Sequence, residues 1–251
     1  MKANHLIFLS LLIGINANAQ NLIACDVTPK MPHEIMNYDG DLEAFLKPVP
    51  TNIANCDKGI KLSIDANIDV WRCRVDENST KNKWQQSYLI FKNGKNIAAY
   101  EDMVMMGSYE IFANYQIDLD NDGKIENVLA LWQTQSNGMG VNRWQINVFD
   151  NDWHKIGKSY DVEDWGKNAF VKSANGCDIA ITSWVEDKSR KQSGTAYQAK
   201  FISLKNGAFV QSKTNKTQSR RYTNKFEQIR NDFMGQDGNE HFGDPINWLK
   251  K

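Results

Sequence analysis

The chain has 251 residues, with 30 basic and 30 acidic side chains and a formal net charge of zero at pH 7. A near-neutral chain without a basic block has no electrostatic footprint for nucleic acid, so we expect no nucleic-acid partner. After removal of the leader predicted below, about 230 residues remain, which suffice for one sizeable hydrophobic core or two small ones. We expect one domain over residues 20–251.

The N-terminus has the three parts of a secretory signal peptide. Lys2 supplies a positive start, and the apolar run from Leu6 to Ile15 is too short to span a bilayer. Ala17-Asn18-Ala19 fits a small-x-small cleavage site, which makes residues 1–19 the leader and Gln20 the first mature residue. The sequence therefore predicts export, either to the periplasm or to the medium.

A second processing site follows closely. Leu22-Ile23-Ala24-Cys25 fits a lipoprotein box, in which Cys25 would carry a lipid and tether the protein to a membrane. Polar residues 16–21 separate this box from the apolar run, whereas lipid modification expects the two to adjoin. Membrane attachment is thus an alternative that depends on lipidation at Cys25. No later segment is apolar enough to cross a membrane.

The predicted mature chain contains four cysteines: Cys25, Cys56, Cys73 and Cys177. An exported chain meets an oxidising compartment, where an even number of cysteines favours disulfides. Four cysteines allow three pairings, and the sequence does not choose among them. No cysteine lies in a recognisable nucleophile motif, and no C-x-x-C pair suggests zinc.

Short alternating apolar runs separated by turn residues predict a β protein. The run 88–91 leads through Asn93-Gly94 into 96–100, and the run 201–204 leads through Asn206-Gly207 into 208–210. Asn-Gly between two such runs predicts a hairpin, because both residues tolerate positive φ. A looser version surrounds Asp150-Asn151-Asp152.

These three hairpin turns and the tryptophans that precede them recur at a period of about 55 residues. Tryptophans in strand-like runs precede them, at Trp71, Trp132 and Trp184. We therefore predict repeat-like units at about 57–108, 109–165 and 166–215. The predicted fold is mainly β, built of consecutive antiparallel meanders in a propeller-like arrangement, and a β-sandwich is the alternative.

The C-terminal region departs from this β pattern. Tyr222, Phe226, Ile229 and Phe233 fall on one helical face, and Gly235 is placed to end a helix. We predict a short amphipathic helix at about 223–234 whose apolar face packs on the β body.

One loop carries the spacing of a metal site. From Asp118 to Glu126 the sequence is D-L-D-N-D-G-K-I-E, with acidic side chains at alternate positions and a glycine where the backbone must turn. Hard cations such as Ca²⁺ take about six to eight oxygen ligands, and this spacing wraps carboxylates around one ion. We predict a bound Ca²⁺ held by side chains of Asp118, Asp120, Asp122 and Glu126 and by the backbone carbonyl of Lys124.

The sequence after this loop distinguishes it from an EF-hand. An EF-hand needs a bidentate glutamate at the twelfth loop position, which here is Leu129 inside an apolar run. A D-x-D-x-D-G-x-x-E loop followed directly by a β run instead resembles the calcium loops of FG-GAP and VCBS-type β-propeller repeats. The resemblance implies a calcium-binding connection between adjacent strands of one blade. It implies no substrate, because such propellers serve adhesion, binding and catalysis alike.

No catalytic motif accompanies the loop. The mature histidines, His33, His154 and His241, lie in no metal-binding pattern, and the sequence has no P-loop, Rossmann or G-x-S-x-G motif. The small and polar connector 133–143 is a candidate contact loop.

The predicted function is therefore a non-enzymatic binding protein that recognises a protein or a cell-envelope component. An inhibitor or a protein that protects against a toxin is one form of this function. The alternative is a secreted hydrolase that uses paired carboxylates, with candidates in Glu101-Asp102 and in Asp161, Glu163 and Asp164.

Overall fold

The structure is a computed structural model that describes residues 22–32, 42–53, 56–74, 85–103, 111–136, 141–187, 194–225 and 242–249. The predicted leader, residues 1–19, lies outside these ranges. Within them the protein is mainly β, and its strands pair antiparallel. The predicted class, a mainly β protein of antiparallel meanders, is confirmed.

Fifteen strands lie in the described residues. They are β1 (Pro29–Lys30), β2 (Lys47–Ile53), β3 (Cys56–Ser63), β4 (Ile68–Arg74), β5 (Gln85–Lys92), β6 (Lys95–Met103), β7 (Phe112–Ile117), β8 (Glu126–Ser136), β9 (Val141–Phe149), β10 (Tyr160–Glu163), β11 (Phe170–Ser173), β12 (Gly176–Asp187), β13 (Gly194–Lys205), β14 (Ala208–Gln211) and β15 (Gln218–Arg221). Short 3-10 helices occur at Leu42–Phe45, Lys167–Ala169 and Asn247–Leu249.

The strands form three five-stranded sheets that follow one another along the chain. The first sheet pairs β2 to β6 in chain order. The second pairs β7 to β10 in chain order and adds β1 beside β7. The third pairs β11 to β14 in chain order, and β15 joins it along β13. One sheet therefore corresponds to each of the segments 57–108, 109–165 and 166–215, although the first sheet begins earlier, at β2. That the three units are repeats of one another stays a prediction.

Both predicted Asn-Gly hairpins are present, and each turn has the positive φ values that these residues tolerate. Asn93 and Gly94 have φ values of 53° and 73° between β5 and β6. Asn206 and Gly207 have φ values of 53° and 72° between β13 and β14. Only the start of the predicted helix 223–234 can be compared: Asn224 and Lys225 are helical, and the residues from 226 onward lie outside the described part.

The main hydrophobic core is shared by all three sheets and is rich in aromatic side chains. The C-terminal segment 242–249 belongs to it. The Phe242 ring lies 4.5 Å from the Trp144 ring of β9, and the Trp248 ring lies 5.7 Å from the Tyr197 ring of β13. A smaller core of Cys56, Trp71, Cys73, Leu89 and Phe91 lies on the other face of the first sheet.

The four cysteines form two disulfides, Cys25–Cys177 and Cys56–Cys73. The alternative of a lipid anchor at Cys25 is therefore wrong for this structure, since the sulfur that would carry the lipid is bonded to Cys177. Disulfides persist in non-reducing compartments, so the protein belongs to one. None of the helices in the part of the chain that the structure describes is both long and apolar enough to cross a membrane.

Candidate metal centre

The acidic loop connects β7 and β8, two neighbouring strands of the second sheet. Asn121 and Gly123 have φ values of 59° and 84°, the left-handed conformation that asparagine and glycine tolerate best. The carboxylate of Asp118 accepts hydrogen bonds from the backbone N–H groups of Asp122 at 3.1 Å and Gly123 at 2.9 Å. The loop therefore owes its turn to the same Asp, Asn and Gly residues that define its sequence motif.

Three of the predicted ligands come together. Asp118, Asp120 and Glu126 each offer one carboxylate oxygen, and these three oxygens lie within 4.8 Å of one another. Oxygens bound to one Ca²⁺ at about 2.3–2.6 Å are separated by at most about 5 Å, so this spacing fits a single ion. The donor set is oxygen only, which suits a hard cation.

Two features of the cluster favour a positive ion between the carboxylates. Oδ1 of Asp120 is buried and has no hydrogen-bond partner among the described residues. The Glu126 side chain, at the start of β8, is only 5% exposed, although the carboxylates of Asp118 and Asp120 lie beside it. Buried acceptors without donors and crowded like charges are both unfavourable, and a cation relieves both.

The pKa of Glu126 reflects this environment. It is raised from 4.5 to about 6, chiefly because burial disfavours the charged form. The hydrogen bond from the backbone N–H of Leu119, at 2.8 Å from Oε2, opposes that rise. Repulsion from Asp120, Asp118 and Asp122 adds to it. The residues present thus fit a bound cation, which would favour the ionised form of Glu126.

The other two predicted ligands have a different arrangement. The carboxylate of the exposed Asp122 accepts hydrogen bonds from the backbone N–H of Lys124 at 2.8 Å and from its Nζ at 3.0 Å. This pairing lowers the pKa of Asp122 and raises the pKa of Lys124. Coordination by Asp122 and by the Lys124 carbonyl stays a prediction, and coordination by Asp122 requires its carboxylate to turn away from the ammonium group.

The acidic loop is docked on the third sheet. The carbonyl oxygen of Leu119 accepts a hydrogen bond from the backbone N–H of Cys177 at 2.9 Å. Gly176 precedes Cys177 and has φ +123°, and a Cβ placed on it would lie 2.3 Å from that same carbonyl oxygen. This contact was not predicted from the sequence, in which its one signal is the Asn175-Gly176 pair directly before Cys177.

The other candidate residues form no catalytic arrangement in the described part of the chain. The exposed His154 ring contacts Asp150, with Nδ1 3.2 Å from Oδ2, within a turn. Glu163 accepts a hydrogen bond from Arg143 at 3.4 Å, and Asp161 is exposed. His33, His241, the side chains of Glu101 and Asp102, and residues 137–140 of the connector 133–143 lie outside the description.

A cavity of about 360 Å³ lies beside Cys25, lined by 25–29 together with Lys167 and Asn168. Asp26 is the single carboxylate in this lining, so the cavity does not present the pair of carboxylates that glycoside hydrolysis uses.

The chain was compared with protein-family models, curated proteins and solved structures, and none of them matches it.

Proposed function

We propose that the protein is an exported, non-enzymatic binding protein of the periplasm or the medium, and that loop 118–126 holds a structural Ca²⁺. The observation that carries the calcium site is the buried, unpaired Oδ1 of Asp120 beside the carboxylates of Asp118 and Glu126. The two disulfides support a non-reducing compartment, and the leader pattern in residues 1–19 supports export.

Calcium suits the donor set better than the other common protein metals. Zinc prefers nitrogen and sulfur ligands, whereas the assembled cluster offers carboxylate oxygens alone. Magnesium usually keeps several waters and binds to one or two carboxylates, whereas calcium accepts a larger and more flexible set of oxygens. The FG-GAP and VCBS resemblance of the loop supports the same ion.

The position of the loop favours a structural role for the ion. The loop joins β7 to β8 and contacts the third sheet through Leu119. An ion here stiffens the connection between two sheets. Metal catalysis would require an open coordination position and a substrate cleft beside it. Among the described hydrolase candidates, Asp161 is exposed and Glu163 is paired with Arg143, which does not favour a catalytic pair, so we prefer the binding function.

The partner belongs to the class of proteins or cell-envelope components. The near-neutral charge of the chain does not favour nucleic acid. An inhibitory or toxin-protecting role falls within this class. The connector 133–143 contains the end of β8, which begins in the metal loop, and the start of β9, so a calcium-stiffened loop would support a contact surface there.

The calcium site is tested by thermal unfolding with 1 mM calcium and with a chelator. A dissociation constant of about 10⁻⁴ M predicts a stabilisation of about 1.4 kcal/mol. For a domain of this size that raises the Tm by about 3–6 °C. Asp120→Asn should abolish the difference, whereas Asp152→Asn, in an exposed turn of the same sheet, should keep it. Equal Tm values for the unmodified protein in the two conditions would remove the calcium site.

The binding function is tested by capture of partners from periplasmic and envelope extracts. The protein in calcium is compared with the protein in chelator and with Asp120→Asn. One partner that is enriched in calcium and lost in both comparisons supports the proposal. Turnover of members of a glycan and peptide panel, with no enriched partner, would favour the hydrolase instead.

A further inference from the structure

We propose that the Cys25–Cys177 disulfide and Gly176 position the acidic loop for its cation, so that the cation affinity depends on whether this disulfide is formed. The inference rests on the calcium site proposed above and adds the residues that hold the site in place.

The acidic loop is connected to the third sheet through the peptide groups of one buried residue. Leu119 is 2% exposed and lies between two predicted ligands, Asp118 and Asp120. Its N–H donates to Oε2 of Glu126 at 2.8 Å, and its carbonyl accepts from the N–H of Cys177 at 2.9 Å. The spacing of the three carboxylates is therefore tied to the position of the β12 strand in the third sheet.

Gly176 makes the approach of the two backbones possible. Its missing side chain leaves room for the Leu119 carbonyl, and a Cβ would also lie 3.2 Å from the N–H nitrogen of Asn121. Its φ of +123° is a conformation that residues with side chains rarely adopt. A larger residue at 176 must push the acidic loop and the third sheet apart.

The Cys25–Cys177 disulfide restrains the same part of the third sheet through the side chain of Cys177. Cys25 is bound to β11 through its backbone N–H, which donates to the Phe170 carbonyl at 2.8 Å, and Ala24 pairs with Val171. Its sulfur is bonded to Cys177, which lies in β12. Cys177 is thus bonded through its sulfur to the N-terminal segment and hydrogen-bonded through its N–H to the acidic loop. Opening the disulfide removes one of these two restraints.

The second disulfide provides a matched control. Cys56–Cys73 joins β3 to β4 in the first sheet and packs in the separate small core. It contributes to stability without contact to the acidic loop, so its removal should leave the cation affinity unchanged.

A restraint that favours the cation-bound conformation must raise the cation affinity, and bound cation must in turn favour the restrained state by the same factor. Couplings of this kind commonly amount to about 5- to 150-fold. We expect calcium to bind on the order of tenfold more weakly to Cys25→Ala/Cys177→Ala than to the unmodified protein, and within twofold of it for Cys56→Ala/Cys73→Ala.

Calorimetric titration of the three proteins with Ca²⁺ tests this expectation. Binding by the unmodified protein with equal affinity in both disulfide variants overturns the coupling and leaves the calcium site standing. Absence of binding by the unmodified protein overturns the calcium site and the coupling with it. A second pair, Gly176→Ala and Gly207→Ala, keeps both disulfides. Both positions have positive φ, but only the Cβ at 176 meets the loop, so only Gly176→Ala should weaken calcium binding.

The reciprocal effect, of bound calcium on the stability of the disulfide, is measured on the unmodified protein and therefore does not depend on the folding of any variant. A dithiol such as dithiothreitol supplies two electrons and two protons. One of its sulfurs attacks the disulfide, the other closes a ring, and two protein thiols are released. Alkylation and mass mapping then follow each disulfide over time. Calcium should slow the release of Cys25 and Cys177 by several-fold more than the release of Cys56 and Cys73. Equal slowing of both disulfides, or none, contradicts the proposal.

Discussion

The two disulfides allow a stability prediction in which chain entropy and core packing favour opposite outcomes. Cys25–Cys177 closes a sequence separation of 152 residues, whereas Cys56–Cys73 closes a separation of 17. The chain-entropy relation then assigns about 5 kcal/mol to the first and about 3 kcal/mol to the second at 25 °C. Packing favours the second, because Cys56 and Cys73 are each 1% exposed while Cys25 is 8% exposed.

We expect chain entropy to dominate, so that Cys25→Ala/Cys177→Ala loses about 2 kcal/mol more than Cys56→Ala/Cys73→Ala. Urea unfolding in the presence of a chelator measures both losses without a contribution from bound calcium. The m value must be fitted for each protein, because loss of a cross-link expands the unfolded chain. Equal losses, or a larger loss for Cys56–Cys73, would refute the entropic argument and show that the small core of the first sheet matters more.

Three further changes, and one control at a surface ion pair, test buried polar side chains. Relative to the unmodified protein, Glu126→Gln should raise the urea midpoint in chelator at pH 7.5, because it removes a buried charge whose pKa is raised to about 6. In calcium the same change should lower the urea midpoint. In chelator the unmodified protein should gain stability as the pH falls through 6 towards 4.5, a gain that Glu126→Gln lacks; parallel pH profiles would contradict this. Asp178→Ala should cost about 3 kcal/mol or more, since the buried carboxylate accepts hydrogen bonds from Ser203, Ser212 and Asn215, and retention of the midpoint would count against that network. Arg72→Met should lower the free energy of unfolding by about 2 kcal/mol, because the guanidinium donates hydrogen bonds to the carbonyls of Ile111 and Trp132 at 3.2 Å. The control Lys61→Met, at a surface ion pair, should change it by less than about 0.5 kcal/mol.

The sequence predicted the features that depend on neighbouring residues. Asn93-Gly94 and Asn206-Gly207 form hairpins because their turn conformation is a property of the two residues themselves. The acidic loop brings Asp118, Asp120 and Glu126 together because its turn uses Asn121 and Gly123, which lie within the motif. Such features need no knowledge of the rest of the chain.

Features that join distant parts of the chain were not predicted. The pairing of Cys25 with Cys177 depends on where β11 and β12 lie relative to the N-terminal segment, and no local pattern encodes that position. The apolar residues of segment 242–249 follow neither the strand nor the helix period, yet Phe242 and Trp248 are fully buried. Gly243 approaches Gly166 so closely that a Cβ on Gly166 would lie 2.0 Å from the Gly243 carbonyl oxygen.

The acidic loop shows how the two kinds of feature combine. Ordering the backbone of loop 118–126 costs about 1–2 kcal/mol for each residue, and an isolated hairpin would have to recover that entropy from the ion alone. Here the Asp118 carboxylate orders the turn, and Gly176 with Cys177 orders Leu119 from another sheet. Much of the entropy is then lost on folding, before the ion arrives, which raises the affinity that a given set of carboxylates can reach. In the proposed site the motif would therefore supply the carboxylate oxygens that bind the ion, and the contact of Leu119 with the third sheet would set how tightly they bind it.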